Sequence, residues 1–439
     1  MISINSLNQE KQKLLDLMEN TNDNMFITGK AGTGKSYLLR CFLEHTKKNA
    51  VVVAPTGIAA LNVGGATIHR FFGLKPELQI PEKIDGSVIY GNKRETFRNL
   101  ELLIIDEISM VRVDVLDTVD YILKKANSNN LPFGGKQVIV FGDLYQLPPV
   151  VKSNTDEEAY LLDKYGGCYF FDTPAVKEDV FKQYELSEIF RQDDSKLIDI
   201  LNRVRVGDQT QADLNELNQK VMNGFSRRSY EDDIITLTTT NAGADKVNKE
   251  MLSQIRGASH DYWAWVDGDF KESDYPTDRK LTLKVGAHVM MLNNEMDGKW
   301  VNGSLGVVVS CDEKTINVRI VETGRTYTVY RNRWEQIDYY YNKEKKKIES
   351  KVIGEFNQLP VKMAWAITIH KSQGKTYSNV EIDLGSGAFA CGQTYVAISR
   401  IKDLNGLHLK RAIRQSDIKV DKDVKDYMQQ SFVFKEAYA

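Results

Sequence analysis

Residues 26–39 read FITGKAGTGKSYLL, an apolar run that breaks into three glycines, a lysine and a serine and then turns apolar again. The stretch fits G-x-x-x-x-G-K-[ST] from Gly29 to Ser36, with a strand pattern before it and the helical pattern SYLLRCFLEHTKK after it. Gly29, Gly32 and Gly34 let the backbone curl closely around phosphates with its N–H groups pointing inward. The following helix offers its positive N-terminal end to the same anion. Lys35 is expected on the β- and γ-phosphates and Ser36 on Mg2+. This is the chemistry of a nucleoside triphosphate site, and by itself it does not separate a kinase from a motor.

The neighbouring strand ends narrow the choice. In LLIIDEISM (102–110), Asp106 and Glu107 directly follow four apolar residues. Asp106 suits the outer sphere of Mg2+, and Glu107 can orient or deprotonate an attacking water, which points to an ATPase. VIVFGDLYQLPPV (138–150) places Gln146 where its amide can sense the γ-phosphate, followed by two prolines that stiffen the segment.

Working outward, NMFIT (24–28), AVVVA (50–54), ELLIID (101–106) and QVIVFGD (137–143) alternate with helical patterns. That alternation implies a parallel sheet covered on both faces, with functional groups at its C-terminal edge. A second α/β unit is expected from residue 184, with strands in DIITLTTTN (233–241), NVEIDL (379–384) and GLHLK (406–410). Residues 258–355 hold four of the five tryptophans and read as short strands between turns, including a hairpin with a lysine-rich tip at 343–347. A small β-barrel inserted into the second unit is the expectation; continuation of the same sheet is the rival. The lysine tip reads as a solvated turn, with DNA contact as its alternative.

Composition sets outer limits. The 439 residues suggest about three compact units. A net charge of −2 gives no global positive field, so any nucleic-acid site must be a local groove. The polar start MISINSLNQEKQK and the lack of a long apolar run give no leader or membrane span. Cys41, Cys168, Cys311 and Cys391 lie far apart, which fits a reducing compartment and gives no zinc or disulfide pattern. A cytoplasmic location is expected.

Seven stretches together resemble the Pif-type DNA helicases of superfamily 1B, relatives of the RecD and Dda helicases. They are GKAGTGKS, APTGIAALNVGGATIHRFFGL, IIDEISMV, PFGGKQVIVFGDLYQLPPV, IFRQ, AWAITIHKSQGKT and YVAISR, in family order from residue 29 to residue 400. The resemblance implies two RecA-like P-loop domains, 1A at 1–183 and 2A at 184–257 and 356–439. It also implies a small 1B element at about 75–99 and an SH3-like 2B domain at 258–355. The implied activity is ATP-dependent unwinding of DNA with 5′-to-3′ movement along a single strand, in replication, repair and telomere maintenance. A single-strand-stimulated translocase that displaces proteins with little unwinding is the alternative. A nucleotide switch without motor action is disfavoured by the DNA-facing run in the second unit.

Residue by residue, the resemblance makes Lys35, Glu107, Gln146, Arg191 and Arg400 catalytic, the two arginines as fingers on the γ-phosphate. Ala31, Thr33 and Tyr37 join the three glycines, Lys35 and Ser36 around ATP, with Gly374 and Lys375 approaching from the second unit; Ser36 and Asp106 hold Mg2+. Where the family carries an adenine-contacting glutamine this chain has Lys11, flanked by Gln9 and Gln12; counting back from the phosphate loop favours Gln12. Pro55, Thr56, Gly57, Thr67, His69 and Phe72 are placed on the DNA side in the first unit, and Thr240, Asn241, Thr368, His370 and Lys371 in the second. Phe72 is the candidate for base stacking, although at least one of Phe71 and Phe72 is expected in the core. The implied partners are single-stranded DNA, tailed duplexes and forked or G-quadruplex DNA, bound by a monomer.

Overall fold

Alternate residues of the first strands feed two separate cores. Phe26, Val51, Val53, Leu103 and Ile105 pack with the helix Val113–Asn127. Met25, Ile27, Val52, Leu102 and Ile104 pack on the opposite face with the helix Lys35–His45. Six parallel strands make up this sheet: β1 (Met25–Gly29), β2 (Ala50–Ala54), β3 (Ala66–Thr67), β4 (Leu102–Ile105), β5 (Gln137–Phe141) and β6 (Lys182–Leu186). Their spatial order is β3-β2-β4-β5-β1-β6. The computed structural model describes residues 7–430 apart from 92, 153, 179–180, 193, 222–233 and 296. Residues 1–6 and residue 233, both used in the sequence reading, lie outside that set.

The sheet's C-terminal edge gathers the motifs. β1 runs into the phosphate loop, β2 into Pro55–Gly57, β4 into Asp106 and Glu107, and β5 into the Gly142–Gln146 turn. One expectation needs correcting. A boundary at 183/184 would cut β6, which pairs with β1 from Lys182 through Leu186, so the first sheet extends past it.

The second sheet begins with β7 (Ile235–Thr238). The chain then leaves it through the helix Asn241–Gln254 and enters a run of antiparallel strands. These are β8 (His260–Trp263), β9 (Trp265–Gly268), β10 (Lys280–Leu283), β11 (His288–Met291), β12 (Leu305–Cys311), β13 (Ile316–Ile320), β14 (Thr326–Val329), β15 (Asn332–Asn342), β16 (Lys347–Gln358) and β17 (Val361–Met363). They form sheets of five, two and three strands, and among the described residues none pairs with β7. β17 lies beyond the expected boundary at 355 and pairs with β11, so this β-unit runs on to Met363. The chain then rejoins the second sheet with β18 (Ala366–Thr368), β19 (Val380–Asp383) and β20 (Leu407–Leu409), all parallel, in the order β18-β7-β19-β20.

The long β15–β16 hairpin leaves the β-unit and rests on the first sheet's periphery. Tyr339 packs edge-on to Phe71, Lys93 pairs with Asp338 at 2.6 Å, and Lys343 pairs with Glu95 at 2.9 Å. Asn49 accepts from the Ile348 N–H at the hairpin's tip. The lysine-rich tip therefore touches the 75–99 segment as well as solvent. No helix among the described residues is long and apolar enough to cross a membrane, and the four cysteines are unbridged.

Candidate functional site

The phosphate loop opens into a cavity of about 440 Å3 lined from both parallel-sheet units. Ala31, Gly32, Thr33, Gly34, Lys35, Ser36 and Tyr37 contribute from one side together with Glu107 and Gln146. Arg191, Gly374 and Arg400 contribute from the other, as do Phe190, Thr376 and Lys402, which the sequence reading did not single out. Gly32 has φ +88°, and a Cβ there would lie 2.5 Å from the Cβ of Arg191. Only glycine allows that approach of Arg191 to the loop.

Lys35 donates from Nζ to the carbonyls of Gly29 at 2.6 Å and Lys30 at 3.2 Å. Burial pushes its pKa down, opposed by the charges of Asp143 and Glu107. Burial also raises Asp106 to about 6 and Glu107, beside Asp106, to about 7. Glu107 adopts a left-handed backbone, φ 53°, uncommon for a residue with a side chain. Its carboxylate accepts from the Gln373 amide at 3.0 Å, and the same amide donates to Gln146 Oε1 at 3.1 Å. Gln373, from the second unit, thus touches two of the expected catalytic groups. Ser36 and Asp106 are hard oxygen donors, and Asp106 is a buried carboxyl short of positive partners; both fit Mg2+.

A buried ion pair ties the two units together beneath the loop. Asp143 accepts from Arg205 at 2.9 Å, with both side chains nearly sealed from solvent. Burial works against the charge of Asp143, yet Arg205 and Lys35 hold its carboxyl below the usual range. The guanidinium of Arg205 lies 4.5 Å from the centre of the Tyr145 ring. Tyr395 accepts from the Ala31 N–H at 3.1 Å and donates to Asp143 at 3.4 Å. Gly392 begins the short helix carrying Tyr395, and a Cβ there would lie 2.1 Å from the Gln146 carbonyl. Arg205, Tyr395 and Gly392 are site residues the sequence reading missed.

Arg400 is 1% exposed. It donates to the carbonyls of Val396, Ser372 and Lys375 and, at 2.6 Å, to Ser399 Oγ. Burial and the neighbouring Arg191 push its pKa down to about 9. Two guanidiniums and Lys35 thus share a desolvated pocket, an arrangement that a polyanion relieves. Through Ser372 and Lys375, Arg400 also grips the segment that carries His370 and Lys371.

Lys371 lines a groove beside the cleft. Lys371 donates to Asn241 Oδ1 at 3.0 Å, which brings these two together, with His370 next to Lys371 in the chain. Four threonines share one local role. Thr56, Thr67, Thr240 and Thr368 accept from the backbone N–H three residues on, and each opens a helical turn after a strand. Burial pushes the pKa values of His69 and His370 down, which favours the neutral imidazole. Over this groove stands the β-unit: Arg70 pairs with Asp269 at 3.0 Å, Asn302 donates to Asn62, and Asp274 closes on Gly57. The remaining cavity is about 50 Å3, far below the hundreds of Å3 of an ordinary ligand site.

The model of the PIF1-like helicase family matches residues 6–213. A Pif1 helicase from Bdellovibrio bacteriovorus is 32% identical over 413 residues, covering 92% of this chain and 87% of the relative. The chain belongs to the PIF1-like helicase family. The PIF1 helicase of Xenopus laevis is 33% identical over 88% of the chain, and the chain spans 58% of that relative's length. Crystal structures of a Bacteroides Pif1, 38% identical, cover 98% of this chain and 97% of their own. The TM-score is 0.89 for its complex with ADP-AlF4 and 0.69 for its complex with single-stranded DNA. The two parallel-sheet units are RecA-like domains, and the arrangement seen here is nearer that of the ADP-AlF4 complex than that of the single-strand complex.

Three site expectations are corrected within that family frame. Phe72 is fully buried, stacked on Phe97 at 5.4 Å and edge-on to Phe71, so both phenylalanines are core and neither is open to a base. Lys375 turns its ammonium to Met290 of the β-unit and lines the groove cavity, with only neighbouring residues reaching the nucleotide cleft. Burial and Lys362 lower its pKa to about 8. Gln12 donates back to the Leu7 carbonyl and does not line the cleft, whereas Lys11 is buried, its ammonium 4.1 Å from the Phe190 ring centre. Phe72→Ala is expected to cost about 3–5 kcal/mol of stability. Phe72→Leu should leave single-strand affinity unchanged in a titration, and a large loss of affinity with an unshifted denaturation midpoint would restore the stacking role.

Proposed function

We propose that the chain is an ATP-dependent DNA helicase that moves 5′-to-3′ on a single strand and separates the duplex ahead. One observation carries the reading: the phosphate-loop cavity is completed by Arg191 and Arg400 from the second RecA-like domain, and Arg400 also holds the backbone of the segment bearing Lys371. Nucleotide state and strand grip therefore meet at one guanidinium.

Lys35 and the loop N–H groups bind the β- and γ-phosphates, and Ser36 and Asp106 would hold Mg2+, which neutralises phosphate charge when bound. Glu107 orients the attacking water and takes its proton; Gln146 bonds the γ-phosphate. Arg191 and Arg400 stabilise the charge that grows on the transferred group. Loss of that group loosens Arg400, and with it the run 370–375. The Asp143–Arg205–Tyr395 contacts form the joint on which the domains turn. Pro55, Thr56, Gly57, Thr67 and His69 of one domain, and Thr240, Asn241, Thr368, His370 and Lys371 of the other, hold the strand by its phosphates without reading sequence. Each base-pair step costs about 1.4 kcal/mol of stacking, a modest barrier per turnover.

On this reading the β-unit is the SH3-like 2B domain, the 75–99 segment is the 1B element, and the chain works as a monomer on single-stranded, tailed or forked DNA. Steady-state hydrolysis of ATP with Mg2+, with and without oligothymidine, tests it. Strong stimulation by the single strand is expected. Equal rates with and without DNA would leave a nucleotide switch instead of a motor.

A further inference from the structure

Two tryptophans stand almost bare on the β-unit. Trp263 is 59% exposed and Trp265 55%, and Tyr330, which precedes Arg331 in the chain, is 69% exposed. Tryptophan is highly buried on average, so an exposed pair is informative. The intervening Ala264 packs toward Phe270, Trp334 and Phe356, leaving an exposed indole on either side of it in the chain.

Backbone bonds fix the patch. Arg331 donates to the carbonyls of Trp263 at 3.0 Å and Asn357 at 3.2 Å, and Asn357 is the cross-strand partner of Trp265. Lys280 pairs across from Trp263 with its ammonium 5.7 Å from the ring centre, and the Arg279 carbonyl accepts from the Ala264 N–H. Trp263 and Trp265 thus lie beside two cations, Arg331 and Lys280, with Tyr330 and Arg279 next to these in the chain. Asp261 neutralises Lys280 at 3.0 Å, and Asp278 and Asp267 lie nearby in sequence, but among the described residues neither Arg279 nor Arg331 is ion-paired.

The patch adjoins the strand groove, because Pro276, three residues before Arg279, lines the groove cavity together with Lys371. Resting on the helicase reading above, we infer that Trp263, Trp265 and Tyr330 form a stacking platform for single-stranded DNA leaving the groove, with Arg279 and Arg331 meeting its phosphates. Aromatic faces accept any base and cations follow the backbone, which is the chemistry of sequence-independent single-strand binding.

The test compares fluorescent oligothymidines of about 8 and about 16 nucleotides on the intact chain and on Trp263→Ala/Trp265→Ala. The double variant should bind the long oligomer about tenfold more weakly and the short one as well as the parent. Trp263→Tyr/Trp265→Tyr should recover most of the loss, and short-oligomer stimulation of hydrolysis should be unchanged in both. An undiminished affinity for the long oligomer overturns the platform, as does an equal loss at both lengths. A change only in self-association, seen by sedimentation on DNA, overturns it in favour of a surface for a second copy. Failure of the parent to bind either oligomer would defeat the helicase reading itself.

Discussion

Lys35→Ala is expected to lower ATP hydrolysis by about 10³-fold while single-stranded DNA remains bound. Lys35 lines the phosphate-loop cavity, its ammonium held by the carbonyls of Gly29 and Lys30 and drawn by the charges of Asp143 and Glu107, so a positive charge is in place before ATP arrives. An ammonium preorganised in this way stabilises growing phosphate charge far more than one in water. Among the described residues Lys35 bonds only the loop carbonyls of Gly29 and Lys30 and none of the proposed strand-binding residues, so a filter-binding titration should be little changed. Retained turnover would remove Lys35 from the chemistry. Parallel loss of hydrolysis, DNA affinity and melting temperature would make it a folding residue.

Arg400→Ala should cut hydrolysis by about 10³-fold, with nucleotide affinity reduced much less. The asymmetry follows from charge that is larger in the transition state than in bound ATP. Arg400 also bonds three backbone carbonyls, so truncation leaves buried acceptors unpaired and some stability will be lost. Arg400→Lys separates the effects: it keeps a positive charge but lacks the fork that reaches phosphate and carbonyls together. Its hydrolysis should stay low while its melting temperature recovers toward the parent's. Equal losses in nucleotide binding and turnover would make Arg400 a structural residue.

What was legible in the sequence was contiguous. Gly29 to Ser36, Asp106 with Glu107, and Gln146 each lie in short runs at strand ends, where topology dictates what they face. Phe72 was not legible, because in the five-residue helix Ile68–Phe72 a one-position change in facing separates core from groove. Lys375 misled for a related reason: its backbone approaches the cleft while its long side chain runs to Met290. The Asp143–Arg205–Tyr395 joint was invisible, since its members are 62 and 252 residues apart and each is ordinary alone. β6 looked like the start of the second unit because a short parallel strand carries no mark of which sheet it joins. The insertion stood out because tryptophan-rich, turn-broken strands replace the apolar strand–helix rhythm.

The central claim is tested most directly by ATP-dependent strand separation on two duplexes, one with a 5′ single-stranded tail and one with a 3′ tail. Opening of the 5′-tailed duplex alone is predicted. Opening of the 3′-tailed duplex alone, or of neither while oligothymidine still stimulates hydrolysis, would contradict it.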